Sequence, residues 1–595
     1  MKKLFIGGII LFSCLSAVHG QTFRSASPTL SANAKQICFD GTSYPLLNIA
    51  SGSGTSSYVG SVINDPTDPI ATKGIYFKAS NATGFSFASS NTSVVTTSNI
   101  SMTFVSGDTC LLKIKPTGVG YATITVQATN GSNTSATYTI NVAASAASAY
   151  GANTIFPTLV ADASAVATID SNYMFIADDE TNVIRMFNRK MSGQSLYTLD
   201  ITSGGGGASG EEFDLEAATV SSSTYNNGRR IYWMGSLGNS KKGASKPYRD
   251  RVVTTDMSGT GISTTLTVKS YSANMRSALI SWGDANSWGF TASAYAASSG
   301  GMIPKRIDGF NIEGLSVTHA GETAYIGFRA PCVPTKGTTP SSDNSNRKYA
   351  LLAPVTNFET MMNVSGKSSI TPTIGEPVLF DFAGLGIRDL LRVGSNKYII
   401  IAGLFEGGGT PAVYLWDGAV PANSGTNPIT TATSSLLKLP LDLTDLVQPS
   451  ADGGVEGHPE AILAEQVDST LYIHLICDNG TVVYYNDAQA AKDLSLSQPQ
   501  YSKFRMDNYT YSLPTITTKA TLTKLSSVSW TVVNDKLEIT GVAKGTVISV
   551  FNPKGQSIAT QTANNKASVS LPTKGAFIVN LSGSEGSRSF KILNK

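Results

Sequence analysis

Four short segments of this chain repeat one arrangement of residues able to do acid or ligand chemistry: Asp162-Ala-Ser-Ala165, Asp214-Leu-Glu-Ala217, Asn311-Ile-Glu-Gly314 and His458-Pro-Glu-Ala461. Each places an acidic residue beside small residues, and an apolar, strand-like run follows. Gly386-Ile-Arg-Asp-Leu390 has the same setting with an Arg–Asp pair. In a repeat architecture such as a propeller, equivalent positions converge on one axis, so these charges would meet. Carboxylates crowded into a narrow space raise one another's pKa unless positive charge compensates. Two compensations are open. One is calcium or another hard cation, which takes oxygen ligands. The other is arginine, which pairs with carboxylates in a fixed fork; Arg251, Arg329 and Arg388 follow or sit within the repeats.

The candidate ligand-binding residues are therefore Glu216, Glu313 and Glu460, the arginines Arg251, Arg329 and Arg388 with Asp389 as partner, and His458, two residues from Glu460. Asp178-Asp179-Glu180 closes an apolar strand and forms a candidate metal set, with a solvated turn as the other reading. A mixed ring of acids and arginines also has a purely structural use, holding repeats in register. Other chemistry is thinner. There is no G-x-S-x-G elbow and no H-E-x-x-H zinc motif. The glycine runs 204–207 and 407–409 lack the Gly-Lys-Ser/Thr of a phosphate loop. Glu216, Glu313 and Glu460 would supply carboxylate pairs for glycoside hydrolysis only at the right separations.

The elements that must position these residues are strands. A chain of 595 residues with 41% hydrophobic content exceeds one compact domain. Only 14% of residues are charged and the net charge is +3, with no basic stripe, which argues against nucleic acid as a partner. Residues 22–145 alternate apolar and polar positions with period two, as in Gly74-Ile-Tyr-Phe-Lys78 and Cys110-Leu-Leu-Lys-Ile-Lys115, and predict a β-sandwich. Residues 150–512 carry the repeats and predict a propeller of five blades, six being the alternative, with a helical insertion near 271–300. Residues 520–595 predict a further small β-sandwich. The fold class expected is all-β throughout.

The N-terminus has the pattern of a signal peptide over residues 1–20. Lys2-Lys3 precedes an apolar run from Leu4 to Leu15, and Val18-His-Gly20 precedes a cut at Gln21. Lipidation at Cys14 is the alternative. No later run approaches the ~20 apolar residues that span a bilayer, so no membrane span is expected in the mature chain. Four cysteines then remain, Cys38, Cys110, Cys332 and Cys477, without C-x-x-C spacing. An exported chain with an even count allows the pairs Cys38–Cys110 and Cys332–Cys477; free buried thiols are the alternative.

Three resemblances add to this. Gly120-Tyr-Ala-Thr-Ile-Thr-Val126 with Tyr138-Thr-Ile-Asn-Val142 resembles the last strands of bacterial Ig-like domains of the group 2 type. Val550-Phe-Asn-Pro-Lys-Gly-Gln556, Leu571-Pro-Thr-Lys-Gly-Ala-Phe-Ile-Val579 and the closing Ser589-Phe-Lys-Ile-Leu-Asn-Lys595 resemble the C-terminal sorting domain of the type IX secretion system. That likeness implies export by the type IX machinery of a Bacteroidetes-like bacterium, with release or attachment at the cell surface. Over 150–510, Asp-Asp-Glu180, Leu-Glu-Ala217, Ile-Glu-Gly-Leu315, Gly-Phe-Arg-Ala-Pro331 and Gly-Ile-Arg-Asp-Leu390 together resemble the exported propeller family called domain of unknown function 3616. It is similar in appearance to phytase-like and esterase-like propellers and implies a fold and a channel site without an activity. The function expected is a secreted or surface-attached protein binding a polar or cation-bridged, extracellular ligand at the channel end. The rivals are a metal-dependent hydrolase of phosphoesters or similar anions, and a structural surface protein.

Overall fold

The computed structural model describes residues 75–513 and 528–594, except 115–116, 136, 147–153, 191–192, 296–301, 407–408, 447, 452, 454, 554–555, 573 and 584–585, together with the strands Ser31–Ala32 and Leu46–Ser51. The expected leader, Cys14 and Cys38 lie outside the described residues. Strand makes up 47% of the chain and helix 9%, as the period-two patterning predicts. Among the described residues no helix is long and apolar enough to cross a membrane.

Five antiparallel blades follow one another between Thr154 and Ser512. Their inner strands are Ala163–Thr168, Leu215–Val220, Asn311–Val317, Gly386–Val393 and Pro459–Val467. Each inner strand lies against the next, and the fifth against the first, so the ring is closed. The last blade takes its outermost strand from the start of the region. Thr154–Ile155 pairs with Arg505–Ser512, Thr154 Oγ1 donates to Asp507 at 2.5 Å, and Arg505 grips Asp507 at 2.6 Å. This closure gives five blades rather than six.

The apolar cores sit between neighbouring blades. Trp233, Phe213 and Phe175 fill the space between blades 1 and 2; Phe328, Leu315 and Tyr232 fill that between blades 2 and 3. Burying such side chains contributes about 1.5–3 kcal/mol each. Between blades 2 and 3 the helices Met275–Ala285 and Phe290–Ala294 place Trp288 and Phe290 into the same core.

Before the propeller, two sheets enclose one apolar core that includes Phe77, Cys110, Ile124 and Ile140, which makes a β-sandwich. The sandwich is bolted to the last blade. Tyr121 stacks on Tyr501 at 4.5 Å between ring centroids and meets Tyr485 edge-on at 5.3 Å. Gln498 Nε2 donates to the Tyr121 hydroxyl at 3.1 Å, and the Tyr501 hydroxyl donates to Asn141 Oδ1 at 3.3 Å. Residues 512–595 form a separate compact unit, in which a three-stranded and a four-stranded sheet enclose Leu537, Ile548, Val579 and Leu581.

The disulfide expectation is corrected. Cys110, Cys332 and Cys477 are free, buried thiols. Cys332 follows the second strand of blade 3 and Cys477 ends the second strand of blade 5, with blade 4 between them. Burial pushes the Cys332 thiol up to about 12, so it stays protonated and inert.

Candidate functional site

Each inner strand carries one β-bulge, and all five fall at the third position of the repeated segment. The extra residue lies between Ala163 and Ala165, Leu215 and Ala217, Ile312 and Gly314, Ile387 and Asp389, and Pro459 and Ala461. The bulged residues are thus Ser164, Glu216, Glu313, Arg388 and Glu460. A bulge leaves one residue unpaired and re-aims its side chain. Five of them in one register bring three glutamates and an arginine together. The small residues of the motif follow from this crowding: a Cβ on Gly386 would stand 2.0 Å from the Arg329 carbonyl oxygen, and one on Gly314 only 3.1 Å from Gly327 Cα.

Half of this ring is charge-balanced. Glu313, 1% exposed, takes an ion pair from Arg329 at 2.5 Å and another from Arg388 Nε at 3.0 Å. Arg388 also pairs with Glu460. Arg329 Nε donates to the Phe405 carbonyl at 2.9 Å, which fixes its fork. The acids and arginines of blades 3, 4 and 5 therefore neutralise one another in a buried network at the cavity wall.

The other half is not balanced. Glu216, 7% exposed, has no hydrogen bond or ion pair among the described residues. Burial, then Glu313 and Asp214, raise its carboxyl well above the ordinary value. Asp179 is also raised well above, by burial first and then by Glu216 and Asp478, and its Oδ1 is shielded from solvent without a hydrogen-bond partner. Asp162, 8% exposed, is pushed up to about 8 by burial, Asp478 and Glu180. Asp214 rises to about 6 because burial outweighs the pull of Arg249, which it meets at 2.7 Å. Carboxylate oxygens of Asp179, Asp214 and Glu216 lie within 4.8 Å of one another, as do those of Asp162, Asp179 and Glu180.

These acids line a cavity of about 380 Å³ at one end of the channel, together with Arg329, Glu460, Asn311 and Asp478. Lys241, Lys242, Lys246, Lys305 and Lys492 also line it. Asn311 is 4% exposed and its Oδ1 has no hydrogen-bond partner. The donor set consists of carboxylate and amide oxygens, the set a hard cation takes and a soft one does not.

Several expected residues stand elsewhere. Arg251 does not join the ring: its guanidinium donates to the carbonyls of Pro247 and Gly206 and lies over Tyr248 and Tyr271. The short turn Pro247–Arg249 instead turns Arg249 inward, onto Asp214 and Glu212. Asp389 is a clamp between blades 4 and 5, accepting from the amides of Leu390 at 2.7 Å and Ile462 at 2.8 Å. Asp178 accepts from Arg185 at 2.7 Å and from Thr181 through Oδ2, while its Oδ1 is buried without a hydrogen-bond partner; of the acidic triplet only Asp179 and Glu180 belong to the cation-sized clusters. His458 is held down to about 4 by burial and then by Arg388, so it is neutral near pH 7 and does not line the cavity. Asp162, Asp214, Asn311, Asp478 and Arg249 also line the cavity, beyond the residues expected from the sequence. The first three share the first position of the repeat whose third position is the bulge, which is the signal that marks them.

Residues 293–453 match a family described as protein of unknown function, DUF3616. The match spans blades 3 and 4, narrower than the 150–510 expected, and includes Glu313, Arg329, Arg388 and Asp389 but not the acids of blades 1, 2 and 5. No curated protein matches the sequence. Among solved structures, the chain is similar to PorZ, a surface component of the type-IX secretion system of Porphyromonas gingivalis, at 10% identity over 83% of this chain and 62% of PorZ, with a TM-score of 0.21. The chain thus spans about three-fifths of that protein's length. It is also similar to virginiamycin B lyase from Staphylococcus aureus, at 10% identity over 53% of this chain and 80% of that one, with a TM-score of 0.23. A Bombyx mori GH32 β-fructofuranosidase gives 10% identity, 72% and 86% coverage, and a TM-score of 0.24. The propeller itself is established by the five blades and their closure.

Proposed function

We propose that this is an exported propeller protein whose channel end binds a hard divalent cation, calcium by preference, and through it an oxygen-rich anionic ligand from outside the cell. The observation that carries the reading is the asymmetry of the ring: Glu313 and Glu460 have arginine partners, whereas Glu216, Asp179 and Asp162 are buried or shielded and have none. A fold that needed these charges only as inter-blade ties would pair them, because an unpaired buried carboxylate is destabilising. Lys241, Lys242 and Lys305 on the cavity wall have no ion-pair partner among the described residues and favour an anion as the group that completes the cation's coordination. Export rests on the leader pattern of residues 1–20 and on the resemblance of 520–595 to a sorting domain.

The test is thermal unfolding of the purified full chain with and without calcium, for wild type and Glu216→Gln. At a hundredfold excess over Kd, binding at one site adds about 2.7 kcal/mol to the folded state, so the wild-type midpoint should rise and that of Glu216→Gln should rise less. Equal responses of the two proteins would sink the proposal. Calcium-dependent release of phosphate from a phosphoester panel, lost in Glu216→Gln, would turn the binding site into a hydrolase. For export, the extracellular form should lack residues 520–595; an intact Lys595 on it would count against the sorting role.

A further inference from the structure

The two acid clusters share a single residue, Asp179. We infer that the channel end holds two hard cations side by side, bridged by the Asp179 carboxylate: an inner one on Asp214 and Glu216, and an outer one on Asp162 and Glu180. The inference rests on the cation reading above and specifies its stoichiometry.

Geometry separates the two positions. Within each set the ligand atoms lie within 4.8 Å of one another, and the five carboxylates form two such sets rather than one. A calcium ion with oxygens at about 2.3–2.6 Å draws together atoms up to roughly 5 Å apart across its centre, so one ion satisfies one set and not both. Each set also contains its own buried carboxylate without a partner among the described residues. In the inner set it is Glu216, 7% exposed; in the outer set it is Asp162, 8% exposed, whose Oδ1 stands over Gly480 so closely that a Cβ there would lie 1.7 Å from it. Asn311 Oδ1, buried and unpaired on the cavity wall, offers a further neutral oxygen.

Ion pairs mark the same acids. Eight carboxylates line this end against seven lysines and arginines. Arg249 holds Asp214 and Glu212, Lys492 holds Glu180 and Arg388 holds Glu460, whereas Asp162, Asp179 and Glu216 have no ion-pair partner among the described residues. These three are the carboxylates at the heart of the two sets.

The measurement is equilibrium dialysis of the full chain against calcium at pH 8.5, with bound metal counted by elemental analysis. Two equivalents per chain are expected for the wild type. Glu180→Gln changes an exposed side chain and leaves the buried network intact; it should retain one equivalent. Glu216→Gln should retain the other, and Asp179→Asn should weaken both. One equivalent in the wild type, abolished alike by Glu180→Gln and Glu216→Gln, would overturn the two-ion centre while leaving a single cation site standing. No bound calcium would overturn both. The wild-type count needs no variant to fold.

Discussion

Calcium binding at the channel end should release protons and tighten steeply with pH. Asp162 has its carboxyl at about 8 instead of 3.8 because it is buried beside Asp478 and Glu180. With that value, about 1 in 100 of these groups is ionised at pH 6 and about half at pH 8. Since a hard cation needs the ionised form, Asp162 alone makes the apparent affinity rise roughly 50-fold across that interval, ~2.3 kcal/mol. Asp214, at about 6, adds about a further twofold, and the raised carboxyls of Glu216 and Asp179 act in the same direction. The sign for stability follows from the same groups. Their folded pKa values lie above the unfolded ones, so the folded chain binds more protons than the unfolded chain between about pH 4 and 8. Without calcium, stability contributed by these protonated acids is present at low pH and falls as pH rises toward 8; calcium restores it. Titration calorimetry at pH 6, 7 and 8, in buffers of different ionisation enthalpy, reads both the affinity and the protons released. A dissociation constant that stays the same from pH 6 to 8, or that tightens at pH 6, would refute the reasoning.

Three further outcomes follow from the rest of the molecule. Arg388→Met leaves Glu313 and Glu460 buried without their shared partner and should cost about 3–5 kcal/mol in denaturant unfolding, whereas Arg251→Ala, outside the ring, should leave calcium binding unchanged. Asp389→Ala strips the amides of Leu390 and Ile462 of their acceptor and should cost about 2–4 kcal/mol, with Asp389→Asn costing less, as measured by the unfolding midpoint. Tyr121→Ala removes the stacked contact with Tyr501, worth about 1 kcal/mol beyond its buried area; limited proteolysis should then cut faster between the sandwich and the propeller.

Much of this fold was legible from period-two patterning, and the axis from the repeated segments. Asp162-Ala-Ser-Ala165 and its four counterparts align residue for residue with the bulges, and where strands approach closest, at Gly314 and Gly386, the segment carries glycine. The partners of those side chains were not legible. Arg249 and Arg251 are two apart and would share a face in a regular strand; the turn at Pro247–Arg249 breaks that alternation and sends only Arg249 inward. Asp389 follows Arg388 directly, and the bulge that gives Arg388 to the channel leaves Asp389 to clamp Ile462. Asp178, Asp179 and Glu180 form one acidic run in sequence, yet Arg185 across the hairpin takes Asp178 alone. Cys332 and Cys477 sit at comparable places in their blades, which suggests pairing to the eye but separates them in the ring.

The central claim is that the unbalanced half of the ring holds a hard cation. The most direct measurement is an anomalous difference map from crystals of the protein soaked in manganese at pH 8. The account predicts anomalous density among the oxygens of Asp162, Asp179, Asp214 and Glu216, and none at the arginine-paired Glu313. A featureless map there, or density only at exposed surface acids, would contradict it.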